Sequence, residues 1–393
     1  MRDGRVRPET TLGELARLFL KLGTIGFGGP AAHIALMEDE VVRHRGWLTR
    51  EAFLDYLGAT NLIPGPNSTE LAIEIGRDRA GFPGLVVAGV AFILPAALIV
   101  GITAWAYVRF GNLPAALALF AGVKPVIIAI VVQALWRLAG TAVKTRWLAA
   151  LAIAAIVAVA AGVHELVVLV AAAILSVGAT AARSRDGDHR VSMAVPIGAS
   201  VVGSTTRFAG ALGAAVGVRA AMSLWSLFAI FLKIGSVLFG SGYVLLAFLR
   251  ADFVERLGWL TERQLLDAVA VGQVTPGPVF TTATFIGYVL AGVPGAVLAT
   301  VGIFLPAFVF VAVSGPLIPR LRRSRLAGAA LDGVNAASLG LMAVVTWQLG
   351  RASIVSVSSG IVAVSAGALL ATRRVNAAWL VLGGAMAGIA LGM

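Results

Sequence analysis

Cysteine is absent from this sequence, which excludes disulfide bonds and thiolate metal sites. Histidine is scarce, and none of the four histidines is spaced to form a metal-binding pair with another. No Gly-x-x-x-x-Gly-Lys-Ser/Thr loop occurs, which argues against ATP as the direct energy source. Neither a nucleophile with its base nor a metal cluster is recognisable. We therefore expect no metal, no cofactor and no enzymatic activity.

Charge is the second shortage. Charged residues make up 13% of the 393 residues, against about 25% in soluble proteins, and the mean hydropathy is +0.92. Several apolar runs reach about 20 residues, enough to cross a hydrocarbon core of about 30 Å as a helix. Nothing alternates like a β-barrel strand, so the sequence predicts an all-α polytopic protein of the lipid bilayer. The predicted spans are Phe82 to Val108, Pro114 to Trp136, Trp147 to Gly162, Leu166 to Ala182, Trp225 to Leu249 and Pro294 to Pro316.

The basic residues do not indicate nucleic-acid binding, although the formal net charge is +12. They cluster in short loops between the apolar runs, as residues that set membrane orientation do. We expect no nucleic-acid partner.

An internal repeat organises the chain. Phe19-Leu20-Lys21 recurs as Phe231-Leu232-Lys233, and Pro64-Gly65-Pro66 recurs as Pro276-Gly277-Pro278, at one offset of 212 residues. After a single-residue deletion the match resumes at an offset of 211, with Ala80-Gly81 against Ala291-Gly292. Such a register over a long stretch is typical of homologous halves. The predicted division is residues 1–182 and 223–393 as the two repeats, with residues 183–222 as a linker. Whether this linker crosses the membrane stays open, because Arg207 near its middle would be costly there.

Loop charges predict that the two halves are inverted across the membrane. Arg77-Asp78-Arg79 precedes a span in the first half, whereas the matching Tyr288-Val289-Leu290 is uncharged. The basic bias changes sides at four consecutive equivalent loops. Because basic loops favour the cytoplasm, we expect opposite orientations, as in the inverted repeats of secondary transporters.

The repeated Pro-Gly-Pro motif predicts a helix break, because two prolines remove backbone donors and forbid a continuous helix. We expect Asn67, Ser68 and Thr69 to cap the helix that follows the first break, and Thr281 lies after the second. A helix N-terminus facing a partly dry cavity can bind an anion. The alternative is a surface turn between two interfacial helices.

Lysines and glycines precede each break. Lys233 lies in an otherwise uncharged apolar run, which makes it a candidate for substrate binding. Its equivalent Lys21 has the alternative of an interfacial residue whose head reaches water. The glycines near the two lysines could expose backbone N–H groups to an anion, or could serve helix packing. They are Gly28 and Gly29 in the first copy, and Gly240 and Gly242 in the second.

Four residues are candidates for proton coupling. Glu70 follows the first break and would repel an anion unless it is protonated. Asp55 and Asp267 are duplicated on the segments before the two breaks, where they carry protons or pair with a nearby cation. His33 follows Gly29-Pro30, where a neutral helical histidine is the alternative.

These motifs resemble those of the long-chain, two-domain members of the chromate ion transporter family. The resemblance rests on Phe27-Gly28-Gly29-Pro30 with His33, Trp47-Leu48, Asn61-Leu62-x-Pro64-Gly65-Pro66-Asn67, Phe239-Gly240-Ser241-Gly242 and Thr275-Pro276-Gly277-Pro278-Val279. It implies a multi-pass protein of the bacterial inner membrane that exports chromate, a tetrahedral oxyanion, and confers chromate resistance. The membrane potential or a proton gradient would drive export. Sulfate transport is the alternative function, and an intramembrane enzyme or sensor is less favoured. The oligomeric state stays open, with a homodimer as one arrangement.

Overall fold

The computed structural model describes residues 10–27, 29–60, 62–111, 113–185, 222–238, 244–314, 324–372, 375 and 377–392. Over these residues every regular element is helical. Five described helices are long and apolar enough to cross a membrane, judged by length and composition. The predicted all-α polytopic class is therefore confirmed. Most of the linker, residues 186–221, lies outside the described residues, and so does its proposed crossing.

The helices of the first half are α1 Leu12–Ile25, α2 Pro30–Glu38 continued by a π-helical turn Asp39–His44, α3 Arg50–Thr60, α4 Asn67–Phe110, α5 Pro114–Ala142, α6 Arg146–Ala160 and α7 Glu165–Arg185. Those of the second half are α8 Leu224–Val237, α9 Leu245–Leu249 continued by a π-helical turn Arg250–Arg256, α10 Glu262–Val274, a 3₁₀ turn Val279–Thr281, α11 Thr282–Ser314, α12 Arg325–Ser353, α13 Val357–Ala371 and α14 Ala377–Leu391. The two series have the same order.

One predicted span is wrong. The run Trp225 to Leu249 is not a single helix, because α8 ends at Val237 and α9 begins at Leu245. Leu238, the residue that follows α8, already has extended backbone angles. The glycines that follow it in the sequence have low helix propensity, which explains why an apolar run of spanning length does not continue as a helix.

α4 and α11 are each a hairpin of two helical arms. The backbone leaves the helical region at Ala80 and Gly81 (φ 62°) in α4, and at Ala291 and Gly292 (φ 61°) in α11. In α11 the hydroxyls of Thr284 and Thr300 lie 2.7 Å apart, whereas 16 residues of straight helix would separate them by about 24 Å. The chain therefore reverses at each Ala-Gly pair, where glycine permits the positive φ.

The two halves interlock into one helical body. α4 packs against α11, its equivalent in the other half. α5 packs against α13 and α14, and α12 packs reciprocally against α6 and α7. The most extensive apolar core accordingly contains residues of both halves, such as Val126 and Ile127 of α5 with Leu341 and Val345 of α12. A second core, around Phe19 and Phe92, is formed by the first half alone.

Candidate functional site

The two Pro-Gly-Pro segments meet the opposite half of the molecule through reciprocal hydrogen bonds. α3 ends at Thr60 and α4 begins at Asn67, so the first motif lies between helices. The Gly65 N–H donates to the Leu238 carbonyl at 2.8 Å, and the Gly277 N–H donates to the Gly26 carbonyl at 2.9 Å. Gly26 and Leu238 are equivalent positions at the ends of α1 and α8. Each break is therefore held by the first helix of the other half.

The cap that the sequence predicts for α4 is wrong. Pro66 is the N-cap, and its carbonyl accepts from the Thr69 N–H at 2.7 Å and the Glu70 N–H at 3.0 Å. None of Asn67, Ser68 and Thr69 is therefore the N-cap residue. The reason is that the turn is closed by the proline carbonyl, so the Ser68 and Thr69 side chains are turned into the protein, where both are buried. Beyond the second break, the Thr281 hydroxyl donates to the Pro278 carbonyl at 2.8 Å.

His33 connects both sides of the first break. It is 2% exposed; its Nε2 lies 2.8 Å from the Gly26 carbonyl and its Nδ1 lies 3.3 Å from Ser68 Oγ. A carbonyl only accepts, so Nε2 carries a proton, and Nδ1 shares a hydrogen bond with the Ser68 hydroxyl, which can donate or accept. The same Gly26 carbonyl receives the Gly277 N–H. His33 therefore lies at the junction of the two halves.

Glu70 and Thr69 are buried beside this junction. Both are 0% exposed. Neither carboxyl oxygen of Glu70, nor the Thr69 hydroxyl, has a hydrogen-bond partner within the part of the chain that the structure describes. Glu70 Oε1 lies against Gly65, where a Cβ would overlap it. Buried polar groups are nearly always hydrogen-bonded. A proton bound to the Glu70 carboxyl group, or a hydrogen-bond donor from a ligand, would therefore satisfy these atoms.

Each predicted lysine forms an ion pair with an acid on a π-helical turn. Lys21 pairs with Glu40; this hydrogen bond and its positive charge lower the Glu40 pKa. Lys233 donates to Asp252 at 2.7 Å, and Arg256 bonds the same carboxylate at 2.6 Å. The Lys21 side chain is 54% exposed and that of Lys233 is 27% exposed. The acidic partners were not predicted, although Glu40 and Asp252 share the repeat offset that reveals them.

The duplicated aspartates have unlike surroundings. Asp55 on α3 is exposed. Asp267 on α10 is 1% exposed, lies 3.1 Å from Lys124 Nζ of α5, and accepts a hydrogen bond from the Tyr107 hydroxyl of α4 at 2.9 Å. Lys124 and Tyr107 belong to the other half and were not predicted. The missed signal was an ionisable residue inside a 29-residue apolar helix.

The remaining predicted residues fall into two groups. Gly29 has φ 78° and precedes α2, and the space where a Cβ would stand has no described atom within 4 Å. Gly28, Gly240 and Gly242 lie outside the described residues. The structure therefore joins the break residues, His33, Ser68 and Glu70 in one place, and holds Lys21, Lys233 and Asp267 in three separate ion pairs.

Two interlocked helical repeats with buried polar groups at broken helices define a polytopic membrane protein, and comparison with known sequences identifies its family. The Chromate transporter family model matches residues 13–177 and matches again at residues 225–389. The chain belongs to the chromate transporter family. The duplicated match agrees with the two-domain, long-chain type.

Relatives resemble the chain over most of its length. The chromate transport protein of Cupriavidus metallidurans is 32% identical over 387 residues, covering 97% of this chain and 94% of its own. The probable chromate transport protein of Synechococcus elongatus is 32% identical, covering 89% and 87%. The chromate transport protein of Pseudomonas aeruginosa is 33% identical, covering 88% and 83%. No solved structure matches the chain.

Proposed function

We propose that this protein is a secondary transporter that exports chromate across the bacterial inner membrane and so confers chromate resistance. Family membership and the names of its relatives support chromate as the substrate. The observation that carries the mechanism is the pair of reciprocal hydrogen bonds at Gly65 and Gly277. Because these bonds join the two breaks to opposite halves, a change in how the halves pack also changes the shape of the junction.

The proposed substrate site lies at this junction, with the residues of both halves that were predicted from the sequence. The α4 arm begins there, and a helix N-terminus attracts an oxyanion. Ser68, Thr69 and Thr281 supply hydroxyl groups, with Asn67 and Gly29 alongside. We assign Lys21 and Lys233 to the route by which the anion approaches, since both retain solvent exposure. Gly28, Gly240 and Gly242 belong to the same proposal on sequence grounds alone.

Inverted halves, residues 1–182 and 223–393, are part of the proposal. A two-fold axis parallel to α4 would place Gly89 beside its own counterpart, Thr300. Gly89 instead lies against the ring of Phe308. Phe308 is equivalent to Ala97, which lies about two helical turns after Gly89 in α4. A residue contacts such a displaced position when the two paired helices run in opposite directions, as they do about a two-fold axis in the membrane plane. The alternating loop charges support the same arrangement.

The membrane potential favours export. Moving one charge through 100 mV is worth about 2.3 kcal/mol, so a dianion leaving a negative interior gains about twice that amount. Glu70 is the leading candidate for proton coupling, because its unpartnered carboxyl group lies beside the proposed anion site. A proton there would remove the repulsion between carboxylate and oxyanion. Asp267, Asp55 and His33 are the further candidates.

Transport of labelled chromate into inside-out membrane vesicles tests this function. We expect chromate to accumulate when the membrane is energised, and a protonophore to abolish the accumulation. Vesicles that lack the protein are the control, and labelled sulfate in the same vesicles measures selectivity. Failure of energised vesicles to accumulate chromate above this control would overturn the proposal.

A further inference from the structure

The Lys124–Asp267 ion pair is buried between the two halves and belongs to neither Pro-Gly-Pro junction. Asp267 precedes Pro276 by nine residues, which corresponds to about 13 Å along the helix axis. Lys124 lies within α5, one of the helices long enough to span the membrane, and its side chain is 13% exposed. Asp267 is 1% exposed on α10. Ionisable residues at such places are costly and usually functional.

The other half of the molecule provides an internal control for this pair. At the offset of 211 residues that holds after the breaks, the counterpart of Lys124 is Asn335, within Gly333-Val334-Asn335; at the offset of 212 that holds before them, the counterpart of Asp267 is Asp55. Asp55 is exposed, and Asn335 carries no charge. The buried ion pair therefore belongs to one copy of the repeat, and an exposed acid and an uncharged amide stand at the equivalent positions of the other copy. Because the repeat itself does not require the pair, we look for the role of Lys124–Asp267 in transport.

The surroundings of the pair hold the lysine firmly. Pro125 follows Lys124 and removes a backbone donor from α5. Two residues before Lys124, Gly122 lies against the backbone of Gly384 and Gly388 of α14. The ammonium group is therefore presented from a rigid and closely packed part of the helix, with the Tyr107 hydroxyl on the far side of Asp267.

We propose that Lys124 is an intramembrane binding residue for the oxyanion, and that Asp267 is its exchangeable counter-ion. A proton taken up by the Asp267 carboxylate breaks the ion pair. The Lys124 ammonium and the Tyr107 hydroxyl then donate to an oxyanion oxygen, and the proton stays on the carboxyl group. Release of the proton re-forms the pair and expels the anion. This inference rests on the proposed function and adds to it a second anion position coupled to a proton.

Several groups decide how the pair responds to pH. The charged or titratable groups that face Asp267 are Lys124 from α5, Tyr107 from α4 and Arg263 from its own helix. Lys124 and Tyr107 belong to the first half, and Asp267 and Arg263 to the second. Proton binding at Asp267 therefore loosens a charged contact between the halves, which links protonation to their relative packing.

The test uses purified full-length protein in proteoliposomes with labelled chromate, and measures two rates. One is accumulation driven by a pH gradient, and the other is chromate–chromate exchange at a single pH. The variants are Lys124→Gln, Asp267→Asn and both together. Matched controls are Lys144→Gln and Asp332→Asn, which remove one or the other partner of the exposed Lys144–Asp332 ion pair. The controls should behave as the wild type in both measurements.

Lys124→Gln should lower both rates about tenfold or more, as expected for loss of one charged hydrogen bond to the anion. Asp267→Asn imitates the protonated state, so it should retain exchange and lose the response to the pH gradient. The double variant leaves neither charge unpaired and should fold, yet exchange as slowly as Lys124→Gln. If Lys124→Gln fails to fold, the double variant still decides the question.

Two results would overturn the inference while leaving the proposed function intact. One is a double variant that transports within about twofold of the wild type, since the pair would then be structural only. The other is gradient-driven accumulation by Asp267→Asn at the wild-type rate. Absence of chromate transport by the wild type would instead contradict the proposed function itself.

Discussion

The two halves have nearly the same backbone and unlike chemistry. Their chain reversals agree within a few degrees: Gly81 has φ 62° and ψ −147°, and Gly292 has φ 61° and ψ −149°. Their breaks also make equivalent hydrogen bonds, from Gly65 and from Gly277. Shared glycines and prolines thus specify the shared architecture, because these residue types fix the backbone wherever they stand.

The polar groups at the junction belong almost entirely to the first half. The counterparts of His33, Ser68, Glu70 and Glu74 are, in the same order, Leu245, Phe280, Thr282 and Phe285. Only Thr69 keeps its residue type, as Thr281. A symmetric frame therefore carries asymmetric polar groups, and we propose that the positions that differ between the repeats are those of the substrate or proton site. Each prediction below alters one side of this comparison.

The largest effect is expected where the halves touch through backbone. In Gly277→Ala the new Cβ would stand 2.6 Å from Ala96 Cβ and 3.1 Å from the Gly23 carbonyl, at φ 87°. We expect a loss of about 2–5 kcal/mol of unfolding free energy, measured by denaturation in mixed micelles. Gly65→Ala should cost less, because there the overlapping atom is the movable end of Glu70.

Gly101→Ala is the matched control, because no described atom lies within 4 Å of its Cβ position on α4. This change should be neutral or should stabilise the helix by about 0.5–1 kcal/mol. Equal losses at Gly101 and Gly277 would show that the interlocked junction contributes nothing specific.

Glu70→Gln should abolish the proton coupling of chromate transport without lowering the stability of the fold. The carboxyl group is 0% exposed and has no partner among the described residues, so removing its charge should leave stability unchanged or raise it. Because Gln cannot take up a proton, accumulation of chromate should no longer respond to a pH gradient. The measurement is labelled-chromate accumulation in vesicles, with the exposed Glu51→Gln of α3 as the control. An unaltered response in Glu70→Gln would place proton coupling elsewhere.

The two lysines should differ when each is replaced by methionine. Lys233→Met leaves Asp252, which is 1% exposed, with Arg256 alone, and should cost about 1–3 kcal/mol. Lys21→Met removes an exposed pair and should cost about 0–1 kcal/mol. Unfolding in micelles measures both, and chromate transport by the same variants tests their proposed role. Equal stability losses would mean that the difference in burial has no energetic consequence.

Much of the fold followed from the sequence, because membrane helices, breaks and repeats have local signatures. Pro64 and Pro276 fall between helices, and Lys21 and Lys233 are held in equivalent pairs. Contacts between the halves have no such signature: nothing local in the sequence joins Lys124 to Asp267, 143 residues later. Asp55 and Asp267 look alike in sequence, and tertiary packing alone makes one exposed and the other buried. The prediction of a single helix over Trp225 to Leu249 was wrong because it relied on the high hydropathy of this run and gave too little weight to the low helix propensity of its glycines.

The smallest effect concerns the hydrogen bond between His33 and Ser68. Its Nδ1–Oγ distance of 3.3 Å is long, and the second half packs Leu245 and Phe280 at the equivalent positions. We expect a coupling free energy of about 0.5–1.5 kcal/mol in a double-mutant cycle of His33→Leu and Ser68→Ala, measured by unfolding in micelles. His33→Leu alone should cost more than Ser68→Ala, because it also removes the donor to the Gly26 carbonyl at 2.8 Å. A coupling free energy of zero would mean that His33 does not hold the Ser68 hydroxyl in place. The functional difference between the two halves would then depend on Glu70 and its neighbours rather than on the His33 imidazole.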